Sequence, residues 1–144
     1  NKTFSEEHFV SLFYAELTDD RNGLVLYANC GHNNPILYRA ESRTTEFVEA
    51  TAQMLGPFLN VVFKTENFHM IAGDTLLLYT DGVSETTNEH GEFYGEDRIV
   101  QHLKNSEQQT AKEITQLLLQ DVQQFNSMGT QSDDKTIVTI KRVG

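Results

Sequence analysis

Two short segments carry the side chains that could do chemistry. Leu76-Leu77-Leu78-Tyr79-Thr80-Asp81-Gly82-Val83-Ser84-Glu85 ends an apolar, β-prone run on a carboxylate, and Ser132-Asp133-Asp134-Lys135-Thr136-Ile137-Val138 sets two carboxylates just ahead of another such run. A sheet that aligned the two runs would gather Asp81 and Asp133 at neighbouring strand ends. Carboxylates grouped in this way suit hard divalent cations, and hard cations suit phosphate chemistry. Both segments also have a plainer reading, since Asp-Gly is a common hairpin turn and acidic turns are often only structural. Against it, the strand before Asp81 is strongly apolar, Val83-Ser84-Glu85 is not an evident return strand, and Asp133-Asp134 recurs before a second strand. Calcium-loop spacing fails, because the third and fifth positions counted from Asp81 are Val83 and Glu85.

The elements that must position these residues follow from the pattern of the chain. Residues 9–17 read as a strand, 18–23 as a turn cluster and 24–29 as the returning strand of a hairpin. The loop Gly31-His32-Asn33-Asn34-Pro35 leads to a short strand over 36–39, a polar turn over 40–45 and a strand around 46–49, and Leu55-Gly56-Pro57 then interrupts the pattern. Residues 61–70 alternate as a strand, Ala72-Gly73-Asp74 is a tight turn, and 75–79 are apolar enough for burial on both faces at the centre of the fold. Helical spacing then takes over, first across 96–104, with Ile99, Val100 and Leu103 as the apolar stripe. Thr110-Ala111-Lys112-Glu113 has the form of a capping box and opens a helix to about residue 125, with Ile114, Leu117, Leu118, Val122 and Phe125 on one face. A loop over 126–131 precedes a closing strand over 136–143 that must rejoin the sheet. This order predicts an α+β fold, an antiparallel sheet or β-sandwich flanked by helices.

Composition narrows the partners. At 144 residues the chain fits one domain with a real core, and its mean hydropathy of −0.44 is that of an ordinary soluble protein. No apolar run approaches the roughly 18 residues that a membrane span needs, and there is no signal-like start. The first residue is Asn1, so the chain reads as an excised piece of a longer polypeptide. A net charge of −10, from 21 acidic and 11 basic residues, argues against nucleic acid and anionic lipid as partners. The single cysteine, Cys30, excludes an intrachain disulfide and is compatible with a reducing cytosol. It reads as a small buried hydrophobe, not as a nucleophile beside His32.

Several segments stand in one order: Tyr27-Ala28-Asn29-Cys30-Gly31-His32-Asn33-Asn34-Pro35, Leu55-Gly56, Gly73-Asp74, Leu78 through Glu85, Phe93-Tyr94-Gly95 and Asp133-Asp134-Lys135-Thr136. In that order the chain resembles the PPM family, the protein phosphatase 2C-like serine/threonine phosphatases, in the bacterial branch that governs sporulation and general stress sigma factors. The resemblance implies a sandwich of two antiparallel sheets flanked by helices. It also implies two manganese or magnesium ions sharing a water that attacks a phosphoserine or phosphothreonine. Carried over residue by residue, Asp81 is implied as a metal ligand, followed by Gly82 of the Thr-Asp-Gly motif. Asp133 is implied as the ligand of the closing motif, and Asp134 as support for the site. Glu85 matches a recurrent acidic position that acts through water or caps a helix start. The implied partner is a phosphorylated regulatory protein of the anti-sigma-factor-antagonist type. The implied location is the cytoplasm, where many members sit at the end of a sensor protein.

One departure matters. The family's first motif, Asp-x-x-Gly-His-Gly, supplies an Asp that bridges both metals. Gly31-His32 does not match it, because the Asp position is Ala28 and the following Gly position is Asn33. His32 therefore reads as a loop or core histidine. The bridging Asp normally precedes the first strand, so the chain reads as a single, N-terminally truncated PPM-type domain over residues 1–144. It is either the later part of a working phosphatase or a pseudophosphatase and interaction module. Two carboxylates without the bridge are expected to hold metal weakly and to leave the chain nearly inactive alone. An uncovered sheet edge and apolar face are expected to drive self-association. Arg39 and Arg98 are candidate phosphate binders on charge alone, and a solvated surface role is the plainer reading of each.

Overall fold

The computed structural model describes residues 10–18, 21–53, 55, 63–126 and 133–144. Among them the order is β1 (Leu12–Leu17), β2 (Leu24–Cys30), β3 (Ile36–Arg39), β4 (Thr44–Phe47), β5 (Glu66–His69), β6 (Thr75–Tyr79), α1 (Asp81–Ser84), α2 (Gly95–Lys104), α3 (Ala111–Phe125) and β7 (Ile137–Lys141). Parts of the expected elements lie outside the described residues: Phe9, two positions of the first turn, Gly56 and Pro57, residues 61–62, and residues 127–132, Ser132 included.

The chain forms two compact units, Asn1–Asn34 with Val48–Met70, and Pro35–Phe47 with Ile71–Gly144. The first holds an antiparallel sheet of order β1-β2-β5, and the expected hairpin is its β1–β2 pair, in register from Leu12 opposite Cys30 to Leu17 opposite Val25. Alternation sorts its side chains. Val25, Tyr27 and Asn29 are buried, and Tyr27 lies 5.9 Å from the Phe13 ring and 5.7 Å from the Phe68 ring. Leu12, Tyr14 and Leu26 are exposed.

The second unit carries an antiparallel sheet of order β4-β3-β6-β7. As the apolar run predicts, β6 is an inner strand: Thr75, Leu76, Leu77 and Tyr79 are buried, and β3 and β7 pair with it on either side. The fourth strand begins two residues earlier than expected. Arg43, at a φ of 56°, closes the turn after β3 and lets pairing restart at once with Arg39 opposite Thr44. The closing strand rejoins the sheet beside β6, as its position required.

Both long helices form where the periodicity put them. Ile99 and Leu103 of α2 and Ile114, Leu118 and Val122 of α3 are fully buried with Ile36, Leu77 and Tyr79 of the sheet. Leu117 departs from the expected stripe; it lies at the edge of the α3 face and is 40% exposed. Two phenols tie the elements together, Tyr79 of β6 to Glu96 of α2 at 2.7 Å and Tyr94, at the start of α2, to Asp121 of α3. Burial first, and the facing carboxylate second, push both phenols above their ordinary range.

The capping box is present. Thr110 Oγ1 accepts from the Glu113 N–H at 3.3 Å, and the Glu113 carboxylate accepts from the Thr110 N–H at 2.7 Å and from its hydroxyl at 2.8 Å. The backbone bond from Thr110 is the main reason that the Glu113 carboxyl is held below its ordinary value of 4.5. A depressed carboxyl stabilises the folded state above the unfolded value, and the contribution fades as pH falls through the folded one. Glu113→Gln is therefore expected to lower the melting temperature at neutral pH by an amount that shrinks as the pH falls below about 4.5. A difference independent of pH in a thermal-melt series would overturn this account.

Candidate functional site

The register of β6 and β7 builds the site. Tyr79, the last residue of β6, pairs with Ile137, the first residue of β7. The chain leaving β6 and the chain entering β7 must therefore run side by side. Those stretches are Thr80-Asp81-Gly82 and Asp133-Asp134-Lys135-Thr136, the two segments singled out by sequence.

Their contact is close and mostly backbone. The Thr80 N–H donates to the Thr136 carbonyl at 3.1 Å, and the Thr136 N–H donates back to Thr80 Oγ1 at 3.0 Å. The Thr80 hydroxyl donates to the Asp134 carbonyl at 3.4 Å. Gly82 lies so near that a Cβ there would fall 2.3 Å from the Asp134 carbonyl oxygen and 3.2 Å from that of Asp133. Glycine is required here by approach, not by backbone angle.

After Thr80 the chain turns directly into α1, a single helical turn with no counterpart in the sequence expectations. Val83 plugs into the core beside Leu77 and Tyr79. The buried Thr86 hydroxyl closes the turn on the Gly82 carbonyl at 2.7 Å. The Tyr94 N–H then bonds the Thr86 carbonyl at 2.7 Å, which fixes α1 to the start of α2.

On this frame the carboxylates of Asp81, Asp133 and Asp134 are all exposed. Asp81 Oδ1 accepts the Gly82 N–H at 2.8 Å, which orients that side chain. Glu85 is also exposed, but it ends α1, with its N–H on the Asp81 carbonyl at 2.7 Å. The helix-start capping role is thereby excluded, because the turn begins at Asp81. Spaced four apart on one turn, Asp81 and Glu85 share a face. The donors suit a hard divalent cation in kind, as carboxylate oxygens on two touching segments. Among the described residues no group of three or more Asp, Glu, His or Cys side chains converges on one point.

Other candidates resolve differently. The His32 Nδ1 lies 2.9 Å from the Asn33 carbonyl oxygen, and the His32 main-chain N–H donates to Oδ1 of the buried Asn29 at 3.0 Å, so the residue shapes its own loop. Neither arginine is a simple solvated cation. Arg39 is paired with Glu46 at 2.6 Å and with Asp74 at 3.1 Å. Arg98 lies over the Phe125 ring at 4.6 Å and donates to the Tyr94 carbonyl at 2.9 Å. Sequence reasoning missed the structural weight of Asp74, which is fully buried although it reads as an ordinary turn residue. A cavity of about 470 Å³ lies between α2 and α3, lined by Arg98, His102, Leu117 and Asp121 among others, and contains none of the site carboxylates.

Comparison with known proteins gives this geometry a context. Residues 1–143 match the family model described as stage II sporulation protein E (SpoIIE). The chain is 30% identical over 137 residues to phosphoserine phosphatase RsbU of Bacillus subtilis, covering 93% of this chain and 39% of that protein. In structure it is similar to the SiaA-PP2C domain of Pseudomonas aeruginosa, with a TM-score of 0.73 at 18% identity over 86% of this chain and 48% of that one. It is also similar to the manganese-presoaked phosphatase domain of the cell fate determinant SpoIIE from Bacillus subtilis, with a TM-score of 0.70 at 19% identity over 94% of this chain and 57% of that one. The chain thus spans well under two thirds of each. The likeness supports the α+β fold of two antiparallel sheets and helices that the sequence predicts.

Proposed function

Because the chain belongs to the stage II sporulation protein E family, we propose that it supplies part of the site of a metal-dependent phosphatase. The substrate would be a phosphoserine or phosphothreonine on a bacterial regulatory protein of the anti-sigma-factor-antagonist type, and the location the cytoplasm. No helix among the described residues is long and apolar enough to cross a membrane, which is compatible with that location.

The observation that carries the reading is the packing of Gly82 against the backbone of Asp133 and Asp134. It sets two exposed carboxylates, far apart in sequence, on adjoining backbone. Asp81 and Asp133 would hold manganese or magnesium. Such an ion, when bound, lowers the pKa of a coordinated water and offsets the charge of a phosphoryl group. Asp134 acts through its main chain, whose carbonyl receives the Thr80 hydroxyl and abuts Gly82. Glu85, on the same face as Asp81, would receive a hydrogen bond from a water at the site.

With only two assigned ligands in the described residues, manganese is expected to bind weakly, with Kd on the order of 10⁻⁴–10⁻³ M, as in calcium sites of low ligand charge. The same ligand count favours a second reading, in which this segment binds a phosphoprotein without turning it over. Phosphoserine-peptide hydrolysis by the chain in excess manganese, beside Asp133→Asn, decides between them. Slow turnover abolished by the substitution supports the enzyme. Equal release of phosphate by both proteins would remove Asp133 from the site, and no release by either, with phosphopeptide still bound, supports the second reading.

A further inference from the structure

We infer that Thr80 is the positioning residue that sets the spacing of the two carboxylate-bearing segments, so that cation affinity depends on its hydroxyl; this rests on reading Asp81 and Asp133 as ligands. Thr80 occupies the N-cap of α1 in an extended conformation, φ −90° and ψ 161°. A threonine there ordinarily accepts a hydrogen bond from an amide in the first turn of its own helix. Thr80 makes no such cap bond.

Its hydroxyl is committed across the chain instead. It accepts from the Thr136 N–H at 3.0 Å and donates to the Asp134 carbonyl at 3.4 Å, over sequence separations of 56 and 54 residues. A hydroxyl that both donates and accepts fixes two points of the incoming segment. Those points lie on Asp134 and Thr136, so the backbone at Asp133 is held from just downstream. On the other side, the Thr80 carbonyl receives the Val83 N–H at 2.9 Å and locks the turn that carries Asp81. One residue therefore joins the supports of both ligands, its hydroxyl holding the incoming segment and its carbonyl the turn that carries Asp81. The backbone bond from the Thr80 N–H to the Thr136 carbonyl survives any substitution except proline and keeps the strands paired. Removal of the hydroxyl should then loosen the ligand spacing more than the fold.

Thr80→Val keeps the branched shape and removes the hydroxyl, Thr80→Ser keeps the hydroxyl, and Thr80→Ala serves if valine perturbs folding. Manganese is titrated into the isotope-labelled chain, and the broadening of the Asp81, Gly82, Asp133 and Asp134 amide resonances is followed. Thr80→Val is expected to need on the order of 10–100-fold more manganese for equal broadening, as for other groups that orient metal ligands. Faster hydrogen exchange at the Thr136 amide should accompany it, and serine should restore both. A wild-type titration for the valine and alanine variants, or a loss that serine does not restore, overturns the inference while Asp133→Asn still weakens binding. If Asp133→Asn itself titrates like wild type, the ligand reading has failed and the inference falls with it.

Discussion

Gly82→Ala is expected to abolish the manganese binding proposed for Asp81 and Asp133 and to lower stability by about 1–3 kcal/mol, the usual cost of overpacking. The added Cβ would sit 2.3 Å from the Asp134 carbonyl oxygen and 3.0 Å from its carbonyl carbon. These are main-chain atoms, so no side-chain rotation relieves the clash. Either α1 rolls away from β7 or the 133–136 segment lifts, and each movement separates the two carboxylates. Intrinsic helix preference acts in the opposite direction, since alanine is favoured over glycine by about 0.5–1 kcal/mol inside a helix. A net loss therefore reports the contact and not the propensity. Urea denaturation together with a manganese titration tests both parts, and an alanine variant with unchanged midpoint and unchanged binding would refute the argument.

Asp74→Ala is expected to be the most destabilising of the substitutions considered, by about 3–5 kcal/mol. Asp74 is fully buried, and its carboxylate accepts the Ala40 N–H at 2.9 Å, the Ile71 N–H at 3.1 Å and Arg39 Nη1 at 3.1 Å. It knots the turn before β6 to the end of β3 and receives the Arg142 N–H, beyond β7, on its own carbonyl at 3.0 Å. Truncation leaves two main-chain donors and part of a guanidinium without their acceptor, at about 1–3 kcal/mol for each buried group left unsatisfied. Native domains are stable by only about 5–15 kcal/mol, so such a loss unfolds a measurable fraction of the chain. Asp74 lies at the far end of β6 from Asp81, so the folded remainder should keep its response to manganese. A loss below about 1 kcal/mol in equilibrium unfolding would show that water replaces the carboxylate.

What could be read from the residues and what could not divide on physical lines. The inner position of β6 was legible because burial on both faces leaves an unbroken apolar run. The start of α3 was legible because Thr110 and Glu113 satisfy each other locally. The two acidic segments could be found by type and by their place beside strands. Their contact could not, since Gly82 is glycine on account of backbone that belongs to the other end of the fold. One helical turn over Asp81–Ser84 is too short to show a period. Asp74 looks like any acidic turn residue until its three donors are known. Arg43 gave no warning of its positive φ, and the fourth strand was displaced as a result.

The clamp between Thr80 and the chain entering β7 has a consequence in time. Its bonds span 54 and 56 residues, and the segment that closes it follows both long helices. Such distant pairings form late, after the entropy of a long loop has been overcome. During synthesis, β6 emerges and waits beside β3 while both helices are made. A nascent chain halted anywhere before Asp133 presents Asp81 without the segment that packs against Gly82. The joining of the two acidic segments is thus conferred by β7, and it comes only after both long helices have been made.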